Sequence, residues 1–351
     1  MCGLLPPQVT ALAKADNMRL SYDGIQLEEQ VSNDCVIMGK EGVEPTDLEE
    51  LTRFLNEDYN GNRVVIDCTG SQDVADYYAR WLGLGIHVVT ANKKAGSGAP
   101  DHYKECRRLA QSRAQWFYET TGPGSGLPVL SVLKDMTQSG DIVKSVAGIF
   151  SGTNSYILNA MREGKTMSAA LESAIADGLA EPDPRDDLNG YDVRRKVVVL
   201  ARELGLEINL DDVQWEDTLL PAALADWTPD TAAGSPKLGL QLVEALKPYD
   251  DEISARVTAL MADGKTPVQL CAVDVEAGTA TIALEQVDSD SRLARCSANE
   301  NIVEIYSRRY CDSPMVLQGP GAGAGITASG LFADLLHLSR TLVEWTIPII
   351  D

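Results

Sequence analysis

The sequence predicts an α/β protein: a doubly wound parallel sheet joined to an α+β part. Two observations carry this. Between Val64 and Glu119, short apolar bursts alternate with longer helical stretches. Val64-Val65-Ile66 precedes a helix over 73–85, Ile86-His87-Val88-Val89 precedes one over 101–113, and Trp116-Phe117-Tyr118-Glu119 follows. Alternation at this spacing is how parallel strands are joined by crossover helices. Beyond Asp141 the pattern changes, and Val268–Val275 and Thr279–Val287 meet at Glu276-Ala277-Gly278 like an antiparallel hairpin.

Taken in order, the chain offers a first strand over Gln8–Ala13, then a helix over 46–60. Thr46 suits its N-cap, Glu49 stands three residues on, and Leu48, Leu51 and Leu55 form a stripe. In doubly wound sheets ligands sit beyond the carboxyl ends of the strands, where Thr69, Asn92, Lys93 and Glu119 fall. The glycine-rich Gly122–Pro128 leads into a helix over 129–139. A strand over 142–150, helices over 155–162 and 168–177, a helix over 250–263 and further strands in NIVEIYSRRY and MVLQG follow. A second glycine run, Gly319–Gly325, opens a last helix at Thr327 striped by Leu331, Leu335, Leu338 and Leu342.

A length of 351 residues with 44% hydrophobic composition suits two domains. The expected division is a nucleotide-binding part over 1–125, completed by 320–351, and a substrate-binding and dimerisation part over 126–319. With 30 Lys+Arg against 52 Asp+Glu the net charge is −22. That disfavours nucleic acid and anionic membrane as partners and leaves room for a local basic pocket for a small anion. No apolar run approaches the roughly 18 residues of a membrane span, and Met1 is not followed by a signal-like segment. The seven cysteines are odd in number, scattered and without C-x-x-C, and there are three histidines. Neither a disulfide framework nor a zinc site is expected, and a soluble protein of a reducing compartment, cytoplasm or organelle stroma, is the simplest reading.

The densest chemistry lies in EPDPRDDLNGYDVRRK, Glu181 to Lys196, which runs into the apolar VVVLAREL. Pro182 and Pro184 stiffen its start, and Asn189-Gly190 turns it into a helix from Tyr191. Asp192 and Lys196 stand four apart and share a face. A solvated charge run with an ordinary ion pair is the usual meaning of such a segment. Val197-Val198-Val199-Leu200 argues otherwise, because a helix buried all round makes Lys196 costly without a partner or a task.

Five motifs together resemble homoserine dehydrogenase, in particular the C-terminal half of bifunctional aspartokinase–homoserine dehydrogenases. They are VVIDCTGS with VVTANKKA, GSGLPV, GIFSGTNSYI, EPDPRDDLNGYDVRRKVVVLARE and GPGAGAGITASGLFADLL. The resemblance implies a Rossmann-like fold and hydride transfer between L-homoserine and L-aspartate 4-semialdehyde with NADP or NAD. It places the reaction in amino-acid biosynthesis from aspartate towards threonine and methionine. It further implies a homodimer, and a fused or lost aspartokinase as partner.

By the same resemblance Lys196 and Lys93 transfer the proton and Asp192 orients or binds. Glu181, Asp187, Asp192 and Lys196 hold substrate, with Glu181 on its amine. Thr69, Asn92, Lys93 and Gly323 flank the nicotinamide. A sodium ion is expected through Glu119, Pro123, Ser125 and Leu127. A lysine acts as general acid near neutrality only if its pKa is lowered, and two lysines in one cleft could supply that.

The family opens with a strand, a G-x-G-x-x-G turn and a helix, and this sequence contains no G-x-G-x-x-G. Gln8–Ala13 matches the fold's second strand, so the chain is expected to be part of a longer one. The alternative is a catalytically impaired remnant that binds an amino acid or serves as a dimer partner.

Overall fold

The computed structural model describes residues 8–26, 42–57, 61–180, 183–216, 219–224, 227–230, 232 and 237–344. The parallel α/β core is present: β4 (Val64–Asp67), β5 (His87–Thr90) and β6 (Trp116–Phe117) lie side by side, all parallel. Between β4 and β5 the chain forms α2 (Gln72–Asp76) and α3 (Tyr78–Gly83), broken at Tyr77; between β5 and β6 it forms α4 (Lys93–Ser97) and α5 (Pro100–Ala110). The last helix, α13 (Ala324–Glu344), returns to this sheet and seats Leu331 and Leu338 against Val89. Among the described residues β4 has a strand neighbour on one side only, and Ile66 on it is 48% exposed.

The N-terminal strand differs from expectation. β1 (Ala11–Ala13) does not join the parallel sheet but pairs antiparallel with β2 (Asn17–Leu20), which pairs with β3 (Val43–Pro45). The Lys14 N–H donates to the Asn17 carbonyl at 2.8 Å and closes the turn that folds β1 back. Helix α1 (Leu48–Asn56) is shorter than the 46–60 expected, and Asp47 caps it by accepting from the Glu49 and Glu50 N–H groups. Thr46 is engaged elsewhere, its hydroxyl donating to the Lys14 carbonyl.

The second part is a six-stranded sheet, order β12-β11-β7-β9-β10-β8. Its strands are β7 (Val143–Ile149), β8 (Gln214–Glu216), β9 (Lys265–Asp274), β10 (Thr279–Asp288), β11 (Glu300–Ser307) and β12 (Met315–Pro320). β9 and β10 are the expected hairpin. The strands expected over 142–150 and 268–287 are interior to this sheet, each flanked on both sides among the described residues.

Helices α6 (Val129–Gln138), α7 (Gly152–Arg162), α8 (Met167–Ala176), α9 (Arg185–Leu188), α10 (Tyr191–Glu203), α11 (Leu238–Leu246) and α12 (Asp250–Ala259) complete the part. Helix α7 starts three residues earlier than expected, because Ser151 caps it through the Asn154 N–H. The αL residue Gly190 opens α10, and Val197, Val198, Val199 and Leu200 on it are all buried. One core cluster runs from the parallel sheet through these residues to β7, β9, β10 and β11. Helix α10 is therefore the shared wall of the two parts, which explains why its middle, Val197 to Ala201, is buried on every side.

Candidate active site

Asp192 stands in the first turn of α10, where the helix dipole favours a carboxylate. Its Oδ2 lies 2.9 Å from Lys196 Nζ, one turn along the same helix, and its Oδ1 lies 3.2 Å from Lys93 Nζ at the start of α4. One carboxylate thus bridges two ammonium groups, one from each part of the molecule. Lys196 is 6% exposed and also donates to the Phe150 carbonyl at 3.0 Å, just ahead of α7.

Burial alone would raise the Asp192 carboxyl, but Lys196 and Lys93 outweigh it and hold the group well below the usual carboxylate range. Burial alone would lower Lys196, but Asp192, and Asp187 behind it, raise it above the usual lysine value. The expectation that two lysines in one cleft would lower each other is therefore corrected for Lys196. The intervening carboxylate decides the sign.

Asp187, on α9, is 6% exposed, and its carbonyl accepts from Asn154 Nδ2 at 3.0 Å. Asn154 Nδ2 also donates to Gln269 Oε1 on β9, so the loop before α10 is tied to α7 and to the sheet. Glu181, expected on the substrate amine, lies outside the described residues. The turn into α10 is held by Trp215 of β8, whose ring occupies the space a Cβ on Gly190 would need, with ideal-geometry contacts down to 1.6 Å. Arg194 stacks over the same ring at 4.9 Å. Trp215 carries no signal of this role in the sequence, because its partner is 25 residues away along the chain.

The ends of β4 and β5 form a second constellation, uncharged except at its hub. Asp67, 2% exposed, accepts from the Thr69 N–H at 2.7 Å, the Tyr78 hydroxyl at 2.6 Å and Asn92 Nδ2 at 3.0 Å. Asn92 Nδ2 also donates to the Ser71 carbonyl at 2.8 Å, while its Oδ1 caps α4 by accepting from the Lys94 N–H. The structure thus joins Thr69 and Asn92 through Asp67, a residue sequence reasoning passed over as the polar end of a strand. Burial, then the Asp67 charge, raises the Tyr78 hydroxyl well above the usual tyrosine value.

The two glycine runs pack against each other. Ser125 Oγ donates to the Gly321 carbonyl at 3.2 Å, and a Cβ on Gly126 would come within 2.8 Å of Ile326. Gly323, with φ +111, opens α13 with nothing within reach of a Cβ. Of the residues expected to hold sodium, Glu119 is turned away from the loop: its carboxylate accepts from the Leu130 N–H at 2.7 Å, the Ser131 N–H at 2.8 Å and the Ser131 hydroxyl, and so caps α6. The Leu127 carbonyl accepts from the Val129 N–H, and Pro123 and Ser125 lie in the loop between. The Glu119 N–H donates to Asp334 on α13, whose carboxyl burial pushes up to about 7.

A parallel sheet with polar residues at its strand ends, faced by a buried lysine–aspartate pair, places a candidate ligand site where open α/β sheets hold their ligands. The model of the homoserine dehydrogenase family matches residues 128–336, and that of the homoserine dehydrogenase NAD-binding domain matches residues 11–119. The chain belongs to the homoserine dehydrogenase family. It is 36% identical over 290 residues to homoserine dehydrogenase of Paracoccidioides brasiliensis, covering 80% of this chain and 76% of that one. It is 37% identical over 340 residues to the chloroplastic bifunctional aspartokinase/homoserine dehydrogenase 1 of Zea mays, covering 95% of this chain but 35% of that protein. The chain thus spans about a third of the bifunctional relatives.

Among solved structures, a Candida auris protein of unknown function aligns with TM-score 0.82 at 29% identity, over 96% of this chain and 92% of that one. A hyperthermophilic archaeal homoserine dehydrogenase in complex with NADPH shares the fold, with TM-score 0.61 at 22% identity over 90% and 81%. The residues present fit the nicotinamide end of such a cofactor. Thr69, Asn92 and the Asp67 hub offer donors and acceptors at the strand ends. No G-x-G-x-x-G turn for the diphosphate occurs in this sequence.

No described helix is long and apolar enough to cross a membrane. Among the described residues no cluster of three or more His, Cys, Asp or Glu is arranged to hold a metal ion, and Cys68, Cys106, Cys271, Cys296 and Cys311 are free thiols.

Proposed function

We propose that this chain interconverts L-homoserine and L-aspartate 4-semialdehyde. The observation that carries the reading is the single carboxylate, Asp192, set between Lys196 and Lys93 at the junction of the two parts. The substrate brings an ammonium, a carboxylate and a hydroxyl that becomes an aldehyde. The nicotinamide, NADP or NAD, supplies or accepts the hydride. This chain's own residues bind, orient and move the proton.

Lys196 Nζ, held by Asp192 and the Phe150 carbonyl, keeps its proton and donates a hydrogen bond to the substrate oxygen. In the reducing direction it or Lys93 delivers the proton to that oxygen, and in the oxidising direction it takes the proton up. Its raised pKa keeps it charged near neutral pH, so it can stabilise the substrate oxygen as charge develops there, while making it a weaker acid than an ordinary lysine. Asp187 and Glu181 meet the substrate amine, and Asn92 and Thr69 meet the nicotinamide. A sodium ion in the Gly122–Pro128 loop, pairing of two copies into a dimer, and an aspartokinase partner remain parts of this proposal, drawn from the family.

The test is homoserine-dependent reduction of NADP and of NAD followed by absorbance, together with calorimetric titration of homoserine and of NADPH. Turnover supports the dehydrogenase. Homoserine binding without NADPH binding would favour an amino-acid-binding remnant instead.

A further inference from the structure

Helix α4 carries Lys93 as its first residue and is only five residues long, one turn and a half, too short to hold itself in place. Something outside it must fix Lys93 relative to Asp192 and Lys196. The candidate stands at the other end of α10. Arg202 is 7% exposed and reaches across the junction. Its Nη1 donates to the Gly96 carbonyl at 2.8 Å, and its Nη2 donates to the Gly98 carbonyl at 2.9 Å. These are carbonyls at the C-terminal end of α4, which the helix itself leaves without partners.

The rest of the guanidinium is anchored on its own side. Nε donates to the Ile208 carbonyl at 3.0 Å, Nη2 donates to Asn209 Oδ1 at 3.1 Å, and the group stacks on the Tyr103 ring at 5.1 Å. All four hydrogen bonds end on neutral oxygens, an uncommon setting for a buried cation. Burial lowers its pKa accordingly. The approach is close as well: a Cβ on Gly96 would stand 3.0 Å from Val199 on α10. Arg195 adds a third tie, donating to Ser97 Oγ at 3.1 Å.

We infer that Arg202 is a positioning residue for the proton-transfer group: by clamping the C-terminal end of α4 to α10 it sets the Lys93–Asp192 contact across the junction. It touches neither substrate nor cofactor and acts through Lys93. Lysine cannot replace it, because a point ammonium cannot span two carbonyls on one element and two oxygens on another. This rests on the reading of Lys93 and Asp192 as members of the site.

The experiment compares Arg202→Lys, Lys93→Ala and the double variant in this chain, by turnover with homoserine and by the acetylation rate of Lys93 under acetic anhydride, read by mass spectrometry. Arg202→Lys is expected to lower kcat about 10- to 100-fold, the effect of roughly an ångström of misplacement, with cofactor KM within twofold. Adding Lys93→Ala then costs little more, because both changes remove the same contact. Lys93 acetylation rises several-fold while that of Lys265, at the start of β9, is unchanged.

Multiplicative losses in the double variant, or unchanged Lys93 acetylation, would overturn the inference. If the unaltered chain has no turnover but Lys93 acetylation still rises in Arg202→Lys, the clamp stands and the dehydrogenase reading fails. Should Arg202→Lys not fold, Gly96→Ala probes the same interface from α4. It forces the helices apart by a few tenths of an ångström and is expected to raise Lys93 acetylation; no rise would count against the clamp equally.

Discussion

The two halves of the site are built on opposite principles. On the α10 side the working groups are full charges, Lys196 and Asp192 with Lys93 reaching in, packed where charge is hard to keep. On the β4–β5 side they are neutral amides and hydroxyls, Asn92, Thr69 and Tyr78, hung on one buried carboxylate, Asp67. The first arrangement sets protonation states, and the second sets positions. The proposed hydride transfer would need both, since the cofactor would supply the electrons and leave proton supply and alignment to the protein.

The largest separation between the halves should come from Lys196→Met. It is expected to lower kcat with homoserine by about 10²–10⁴-fold, the usual worth of a positioned acid or base, with NADPH affinity unchanged by fluorescence titration. A parallel loss of NADPH affinity would erase the division drawn here.

Asp192→Asn should be felt first in stability. Removing the carboxylate leaves the buried Lys196 ammonium facing Lys93, and the expected loss is about 3 kcal/mol by denaturant unfolding. The pH dependence has a definite sign. The folded Asp192 pKa lies below its unfolded value, so its contribution is present above about pH 4 and is lost as pH falls through the depressed value. Lys196, raised on folding, contributes below its ordinary lysine value and loses that only in strong alkali. The variant's stability should therefore fall less than that of the unaltered chain on acidification, and an unchanged acid limb would show that the pair carries little.

Gly190→Ala tests whether the charged half depends on its support. The residue has φ +72 and would drive a Cβ into the Trp215 ring, so a loss of about 2–3 kcal/mol is expected, partly restored by adding Trp215→Ala. No restoration would mean that strain at the αL turn, rather than the ring, carries the effect.

The smallest effect belongs to Asp67→Asn, which keeps the shape of the hub and weakens its hydrogen bonds. Cofactor KM is expected to rise about tenfold, with homoserine KM within twofold, measured by steady-state kinetics.

How much of this could be read in the sequence follows the same division. The α10 side was legible because nine charged side chains within Glu181–Lys196 stand against Val197–Leu200, a local conflict between charge and burial. The parallel strands were legible from their apolar bursts. Helix α4 was not, since five residues of Lys-Lys-Ala-Gly-Ser carry no period and the helix is held at its two ends by Asn92 and Arg202. Trp215 on Gly190 and Asp67 beneath Asn92 were hidden for the same reason, each a contact between residues 25 apart. The Gln8–Ala13 strand was found approximately and placed in the wrong sheet, because a strand's own residues do not name its neighbour.

The central claim is that one carboxylate keeps Lys196 protonated at the junction of the two parts. It is tested most directly by following the Lys196 side-chain resonances through an alkaline pH titration, in the unaltered chain and in Asp192→Asn. The expected result is titration above the ordinary lysine value in the first and a clearly lower one in the second. A Lys196 that titrates near neutrality in the unaltered chain, or at the same pH in both, would contradict it.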